Sequence, residues 1–311
     1  MIVTLTPNPS LDLLFEAEEL RWDDANRLAP PRRRAGGQGI NVARAARVLG
    51  GRSIAVAPLG GATGLELRSM LEGEGTGLRA VPIRGETRVF VGVREHATGR
   101  SLLLNPRGPE ISPEERVLLL GEVSAALSEE RPAWIACCGS LPPGLEPAFY
   151  AAVGELAREH GAAFVPDCDG EALRLAAERG CDLLVPNAHE ASRLLGRDVA
   201  DVEAAGDAAA ALRSFAPIVA VTLGEGGAVC ATAGERWHAA APRHVGGSAV
   251  GAGDAFLAAF LLARCAGAEA PEALRAAVAA GTAVLLGRGA DLLRREDLEA
   301  VSRAVTLRRL G

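Results

Sequence analysis

The run Val250-Gly251-Ala252-Gly253-Asp254 sets a carboxylate directly behind a glycine-rich turn, at the head of an apolar stretch that extends to about Cys265. Glycine lets a backbone turn tightly and approach a ligand. A helix start carries free N–H groups and the positive end of the dipole. The amides of Gly251, Ala252 and Gly253 therefore suit a transferring phosphoryl group. Asp254 beside them suits removal of a proton from an attacking hydroxyl. An aspartate at a helix start is also a common cap, and spacing alone does not separate the two readings.

Four other segments could carry chemistry. Pro186-Asn187-Ala188-His189-Glu190 follows a short apolar run and puts Asn187 and Glu190 three apart at a helix start. That is an oxygen pair for Mg²⁺, which keeps most of its waters, or a capping box; His189 reads as a surface residue. Gly139-Ser140-Leu141-Pro142-Pro143-Gly144 is a stiff loop at a strand end, where α/β proteins form sites or simply turn. Ala35-Gly36-Gly37-Gln38-Gly39-Ile40-Asn41 opens a helix with glycines and an Asn able to donate and accept to sugar hydroxyls. Thr222-Leu223-Gly224-Glu225-Gly226-Gly227 ends a strand in a turn that could cradle a nucleotide.

These segments need a frame, and the pattern around them supplies one. Apolar runs at 133–138, 162–166, 182–185 and 218–223 alternate with helical stretches near 147–160, after Gly170 and from about 188. Continuous apolar strands separated by helices give an α/β fold with a mostly parallel sheet covered on both faces. Runs at 2–6 and 53–57 join it. Residues 13–34 show no convincing helix, and 78–104 carry three short alternating runs, Leu78–Ile83, Thr87–Arg94 and Arg100–Leu104. We expect an antiparallel meander there. With 13–34 it forms a small β-sheet, about 13–34 and 78–106, over the carboxyl edge of the main sheet in a single domain of 1–311. It acts as a lid or pairs with a second subunit. The run Pro30-Pro31-Arg32-Arg33-Arg34 reads as a solvated turn in it.

Composition removes several alternatives. The chain has 311 residues, and all of its 33 Lys-plus-Arg positions are arginine. Without lysine, Schiff-base and pyridoxal chemistry are excluded, and P-loop and protein-kinase designs are disfavoured, since each sets a lysine against phosphates. Any phosphate must be held by arginine, backbone amides, helix ends or a metal. A net charge of −6 argues against a nucleic-acid or anionic-membrane surface. None of the six cysteines forms a Cys-x-x-Cys pair; Cys137, Cys138, Cys230 and Cys265 lie in apolar runs and read as small buried hydrophobes. The N-terminus has no signal-peptide pattern and no run is long enough for a membrane span, so a cytoplasmic protein is expected.

The five motifs in this order, with Thr4-Leu5-Thr6-Pro7-Asn8-Pro9-Ser10-Leu11-Asp12 and Gly60-Gly61-Ala62-Thr63-Gly64, resemble the ribokinase-like (PfkB) carbohydrate kinases over essentially the whole chain. The likeness is strongest to the branch holding 1-phosphofructokinase, tagatose-6-phosphate kinase and the minor 6-phosphofructokinase. The resemblance implies a three-layer α/β/α fold with a small β-sheet lid, MgATP as phosphoryl donor and a homodimer through the lid. It implies Asp254 as the base, with the amides of Gly251, Ala252 and Gly253 as the anion hole. Asn187 and Glu190 are implied as the Mg²⁺-linked pair, largely through water. Thr222, Gly224 and Gly227, with Asn187, are implied as nucleotide contacts. Asp12, Gly37 and Asn41 are implied at the sugar hydroxyls, with Gln38, Asn105 and Ser140 in the same substrate site. Arg27 and Arg88 match positions that face a substrate phosphate, with Arg107 a weaker candidate.

Three positions depart from the pattern: Gln38 where many relatives have Lys, Val185 where Lys often precedes the Pro-Asn pair, and Ala249 for a common Thr. The expectation is therefore an ATP-dependent kinase acting on fructose 6-phosphate or fructose 1-phosphate to give fructose 1,6-bisphosphate. The alternatives are a kinase for tagatose 6-phosphate or for an unphosphorylated sugar or nucleoside, and a non-catalytic sugar-phosphate sensor.

Overall fold

A computed structural model of the chain describes residues 1–241, 250–286 and 293–311. The first half runs β1 (Ile2–Leu5), β2 (Ser10–Ala17), β3 (Arg32–Gly36), α1 (Gln38–Val48), β4 (Ser53–Leu59), α2 (Gly61–Gly73), β5 (Gly77–Pro82), β6 (Arg88–Glu95) and β7 (Ser101–Leu104). It continues through α3 (Pro113–Glu130), β8 (Trp134–Cys138), α4 (Phe149–Glu159), β9 (Ala163–Asp167), α5 (Gly170–Glu178) and β10 (Leu183–Leu184). The remainder is α6 (Ala188–Leu195), α7 (Val202–Leu212), β11 (Ile218–Thr222), β12 (Ala228–Thr232), β13 (Glu235–Ala240), α8 (Ala252–Cys265), α9 (Ala270–Leu286), α10 (Arg295–Ser302) and β14 (Thr306–Leu310).

The main sheet has two five-stranded parts, ordered β5-β4-β1-β8-β9 and β10-β11-β12-β13-β14. They meet where Asp182 N donates to Phe164 O at 2.9 Å and Phe164 N donates to Asp182 Oδ2 at 2.8 Å. The first part is parallel throughout, and the second turns antiparallel after β11. Strands such as β1 and β8 are buried at every residue, which is why they read as unbroken apolar runs. One apolar layer, holding Leu119, Tyr150 and Leu212, fills one face; another, holding Phe256, Phe260 and Leu274, fills the other. Truncating a buried residue such as Ile135 to Ala costs about 2–5 kcal/mol.

The small sheet is ordered β3-β2-β6-β7. It differs from the expected meander in two ways. The run at 78–83 is not part of it: β5 is the edge strand of the main sheet, parallel to β4. Its centre is a parallel pair, β2 with β6, in register from Ser10↔Arg88 to Ala17↔Glu95. The small sheet begins at Ser10, and Arg32–Arg34 is strand rather than a solvated turn.

Helix starts explain where the site sits. Ser112 and Glu115 close a capping box on α3 behind Pro113. By contrast α1 begins at Gly37 and α8 at Gly251, both at positive φ and both without a side-chain cap. Their first-turn amides are left for another partner. Cys265, expected to be buried, is exposed because the last turn of α8 leaves the core; the other five cysteines are buried. No helix of the described residues is long and apolar enough to cross a membrane.

Candidate active site

The carboxyl ends of the main strands, the starts of α1 and α8 and the inner face of the small sheet enclose a cavity of ≈ 1670 Å³. Asp254 lies at its floor, buried at 6% exposure. Gly251 caps α8, so Asp254 is the third residue of the helix and not its cap. Its side chain turns to α1, where Asn41 Nδ2 donates to Asp254 Oδ2 at 2.8 Å. Arg44 fixes the Asn41 amide by donating to its Oδ1 at 2.9 Å, and is itself anchored on Glu74 and on Ala35 O. Burial pushes Asp254 up to about 7; the Asn41 hydrogen bond and then the charges of Arg34 and Arg44 oppose the rise. A carboxylate poised there, with Oδ1 turned to no other side chain among the described hydrogen bonds, is suited to accept a proton near neutrality. Asn41, expected at the sugar hydroxyls, uses its amide to orient this carboxylate.

Two more carboxylates share the wall. Asp167, at the end of β9, lines the cavity and is pushed up to about 8 by burial and then by the charges of Asp254 and Glu190. Glu190 is raised by burial. Asn187 and Glu190 do form the capping box: Glu190 N donates to Asn187 Oδ1 and Asn187 N to Glu190 Oε2, both at 2.9 Å. Asp167 was not singled out in the sequence. Its only signal is its place at the end of an apolar strand.

The residues expected at the substrate line the same cavity. Gly37, Gln38, Ser140, Asp12, Asn105 and Arg88 all line the cavity. Asn8 Nδ2 ties Ser140 Oγ at 3.1 Å to the Arg107 carbonyl at 2.9 Å, so the Gly139 loop and the 105–109 segment are held together. Arg88 donates to the carbonyls of Asn8, Pro9 and Pro106 and to Asn105 Oδ1. None of these partners is charged. Burial lowers its pKa, and only the nearby charge of Asp12 opposes that. A half-buried guanidinium held by neutral acceptors is suited to take an anion.

Two expected cations are elsewhere. Arg27 is exposed on the loop between β2 and β3, and Arg107 is exposed as well; neither lines the cavity. Arg34, unnoticed within its charge run, does line it. The alternation of a strand separates it from Arg33, whose partner is Glu66 on α2.

Asn187 and Thr222 form a parallel bridge, and Thr222 N donates to Pro186 O at 3.0 Å; of the expected nucleotide residues, none of Asn187, Thr222, Gly224 and Gly227 lines the cavity. The turn after β11 places Gly224 at φ 57° and Gly227 at φ 82°. A Cβ at Gly227 would lie 2.1 Å from Ala239 O, so only glycine fits. The segment Gly246-Gly247-Ser248-Ala249 lies outside the described residues.

The family model for the pfkB family carbohydrate kinases matches residues 10–296. The chain belongs to this family. As a carbohydrate kinase it is a phosphotransferase with the ribokinase-like α/β fold. It is 34% identical over 302 residues to the ATP-dependent 6-phosphofructokinase isozyme 2 of Mycobacterium tuberculosis, covering 96% of this chain and 88% of that one. It is also 34% identical over 315 residues to the 1-phosphofructokinase of Rhodobacter capsulatus, covering 99% and 98%. The structure of phosphofructokinase-2 from Escherichia coli in complex with fructose-6-phosphate superposes with a TM-score of 0.90 at 31% identity, over 97% of this chain and 98% of that one.

Proposed function

We propose that this carbohydrate kinase transfers the terminal phosphoryl group of ATP to the free primary hydroxyl of a ketohexose phosphate, fructose 6-phosphate or fructose 1-phosphate, giving fructose 1,6-bisphosphate. One observation carries the reading. Asp254 is buried at the uncapped start of α8 with its orientation set by Asn41, and Arg88, a cation with no carboxylate bonded to it among the described residues, lines the same cavity. A neutral sugar or nucleoside would leave Arg88 without a task, and a sensor would not need Asp254. The relatives named 6-phosphofructokinase and 1-phosphofructokinase support the same substrate class.

In this reading Asp254 accepts the proton of the acceptor hydroxyl as the new O–P bond forms. The amides of Gly251, Ala252 and Gly253 donate to the phosphoryl oxygens whose charge grows. Arg88 binds the phosphate already on the sugar, with Ser140, Asn105 and Gln38 beside it, and Asp12 and Gly37 position the hydroxyls. Thr222, Asn187, Gly224 and Gly227 hold the nucleotide. Phosphoryl transfer of this kind is driven mainly by positioning and charge neutralisation.

Mg²⁺ fits the residues present. Asp167, Glu190 and Asp254 are hard oxygen donors raised first by burial, and Asp167 also by the charges of the other two, a setting that suits a cation. Glu190 and Asn187 would hold it largely through water, and when bound it neutralises the phosphate oxygens. Leu103 and Leu104 on β7 and Trp22 on the 18–31 loop are exposed at 56%, 53% and 74%. These side chains support a homodimer built through the small sheet, which would also serve as lid.

The test is an ADP-release screen over fructose 6-phosphate, fructose 1-phosphate, tagatose 6-phosphate and the free sugars. Turnover confined to free sugars would remove the phosphosugar reading. No turnover on any of them would favour the sensor.

A further inference from the structure

We infer that Arg34 is a specificity-determining residue of the sugar site: with Asp12 it forms a paired donor and acceptor that reads one ring hydroxyl of the sugar as both proton donor and proton acceptor. The inference rests on the phosphosugar reading above.

The strand register places the pair. Asp12 on β2 lies directly opposite Arg34 on β3, and Arg34 Nη2 donates to Asp12 Oδ2 at 2.9 Å. Both side chains line the cavity, yet they are only 12% and 9% exposed. The carboxylate is pinned from a second side, since Ser10 Oγ donates to Asp12 Oδ1 at 2.7 Å. Gly36 leaves the room for it: a Cβ there would lie 2.1 Å from Asp12 Oδ1. Arg34 keeps unused donor capacity, because among the described hydrogen bonds its guanidinium donates only to Asp12; its Nε is closed off and has no acceptor among the described residues.

Stability does not account for this arrangement. A desolvated ion pair gains little or nothing over an apolar pair of similar size. An unsatisfied buried donor costs about 1–3 kcal/mol. The neighbouring pair Arg33–Glu66, 49% and 37% exposed, is an ordinary surface contact that does not reach the cavity. A charged pair on the cavity side of the same strand answers to a ligand instead. A hydroxyl carries one proton and two lone pairs. At this pair it donates to Asp12 and accepts from Arg34, and it satisfies both groups at once. An analogue lacking that hydroxyl leaves a spare donor of Arg34 and a spare lone pair of Asp12 desolvated without a partner, although the two groups still pair with each other; sites reject deoxy compounds in this way.

The experiment compares kcat/KM for fructose 6-phosphate with that for its 3-deoxy and 4-deoxy analogues, in the wild type and in Arg34→Met and Arg34→Lys. The wild type is expected to lose at least about 50-fold on one of the two analogues. Arg34→Met should shrink that penalty to below about 5-fold, because the donor half of the pair is gone. Arg34→Lys should restore part of it while KM for ATP stays within about 2-fold. Equal penalties in all three proteins overturn the inference. So does a wild type that tolerates both analogues, a result that needs no variant to fold. A wild type with no turnover on any ketohexose phosphate removes the phosphosugar reading itself, and it does so before a variant is made.

Discussion

The main sheet and the small sheet are made differently, and the difference separates two tasks. Strands β1 and β8 carry no exposed residue, and the layers on either side are aliphatic and aromatic. Close packing of that kind holds a backbone to a single arrangement. The groups that need an invariant position hang from it: Asp254 on α8, Asn41 on α1, Asp167 at the end of β9. The small sheet has one face against α2 and the body and one face on the cavity. That inner face carries Asp12, Arg34 and Arg88, and β7 at its edge is largely exposed. An element covered on one side opens more readily than a buried one. In the proposed reading, the chemistry is anchored in the apolar layers, and part of the recognition sits on the element best able to move over the substrate.

The comparison breaks most sharply at Asp254. Asp254→Asn should lower kcat by about 10²–10⁴-fold while leaving ATP affinity within a few-fold. Turnover within tenfold of wild type would mean that the base lies elsewhere. Next comes Arg88→Ala, which takes the charge from the small sheet without touching the chemistry. It should raise KM for the phosphosugar by about 10–100-fold and leave KM for ATP nearly unchanged. Equal small changes in both would dissolve the division between the two sheets.

Leu104→Asp, at an exposed position of β7 that does not line the cavity, sharpens the role of the outer strand. If β7 lies in a homodimer interface, the substitution should weaken self-association by at least about tenfold in sedimentation or light scattering, since a charge is then buried unpaired. An unchanged mass distribution at all concentrations would leave the small sheet as a lid only.

The smallest effect belongs to stability against pH. Asp254 and Asp167 have folded-state values near 7 and 8, well above the 3.8 of an ordinary aspartate. Between those limits the folded protein binds more protons than the unfolded chain, so stability is full below about pH 4 for these groups and falls as pH rises toward 8. The ligand-free Tm should therefore decline between pH 5 and 8. Asp254→Asn should flatten that decline and raise Tm at pH 8 by about 1–3 °C. A wild-type Tm that climbs over this range would contradict the desolvated carboxylates.

Much of the main sheet was legible because strands buried on both faces must be apolar throughout. The edge strand β5 was not. Its residues are mostly half-buried, so it alternates like a strand of the small sheet, and the run at 78–83 was assigned there. Charge patterns did not show where a side chain lies. Arg27 stood in the right motif and lies exposed on a loop. Arg34 stood in a run that resembles solvated charge and faces the cavity, because alternate residues of a strand point to opposite sides.

The sequence by itself determined the kinds of group available: an aspartate behind glycines, an Asn-Glu pair at a helix start, and arginine as the only strong cation for a phosphate. Residue type and local spacing are enough for that. Only the tertiary structure decided which groups meet. Asp254 finds its orienting amide 213 positions away in Asn41, and Asp12 finds Arg34 across a strand pair. It also decided that Asp254 holds its proton until about pH 7. Desolvation is set by the atoms packed around a group, and those come from distant parts of the chain.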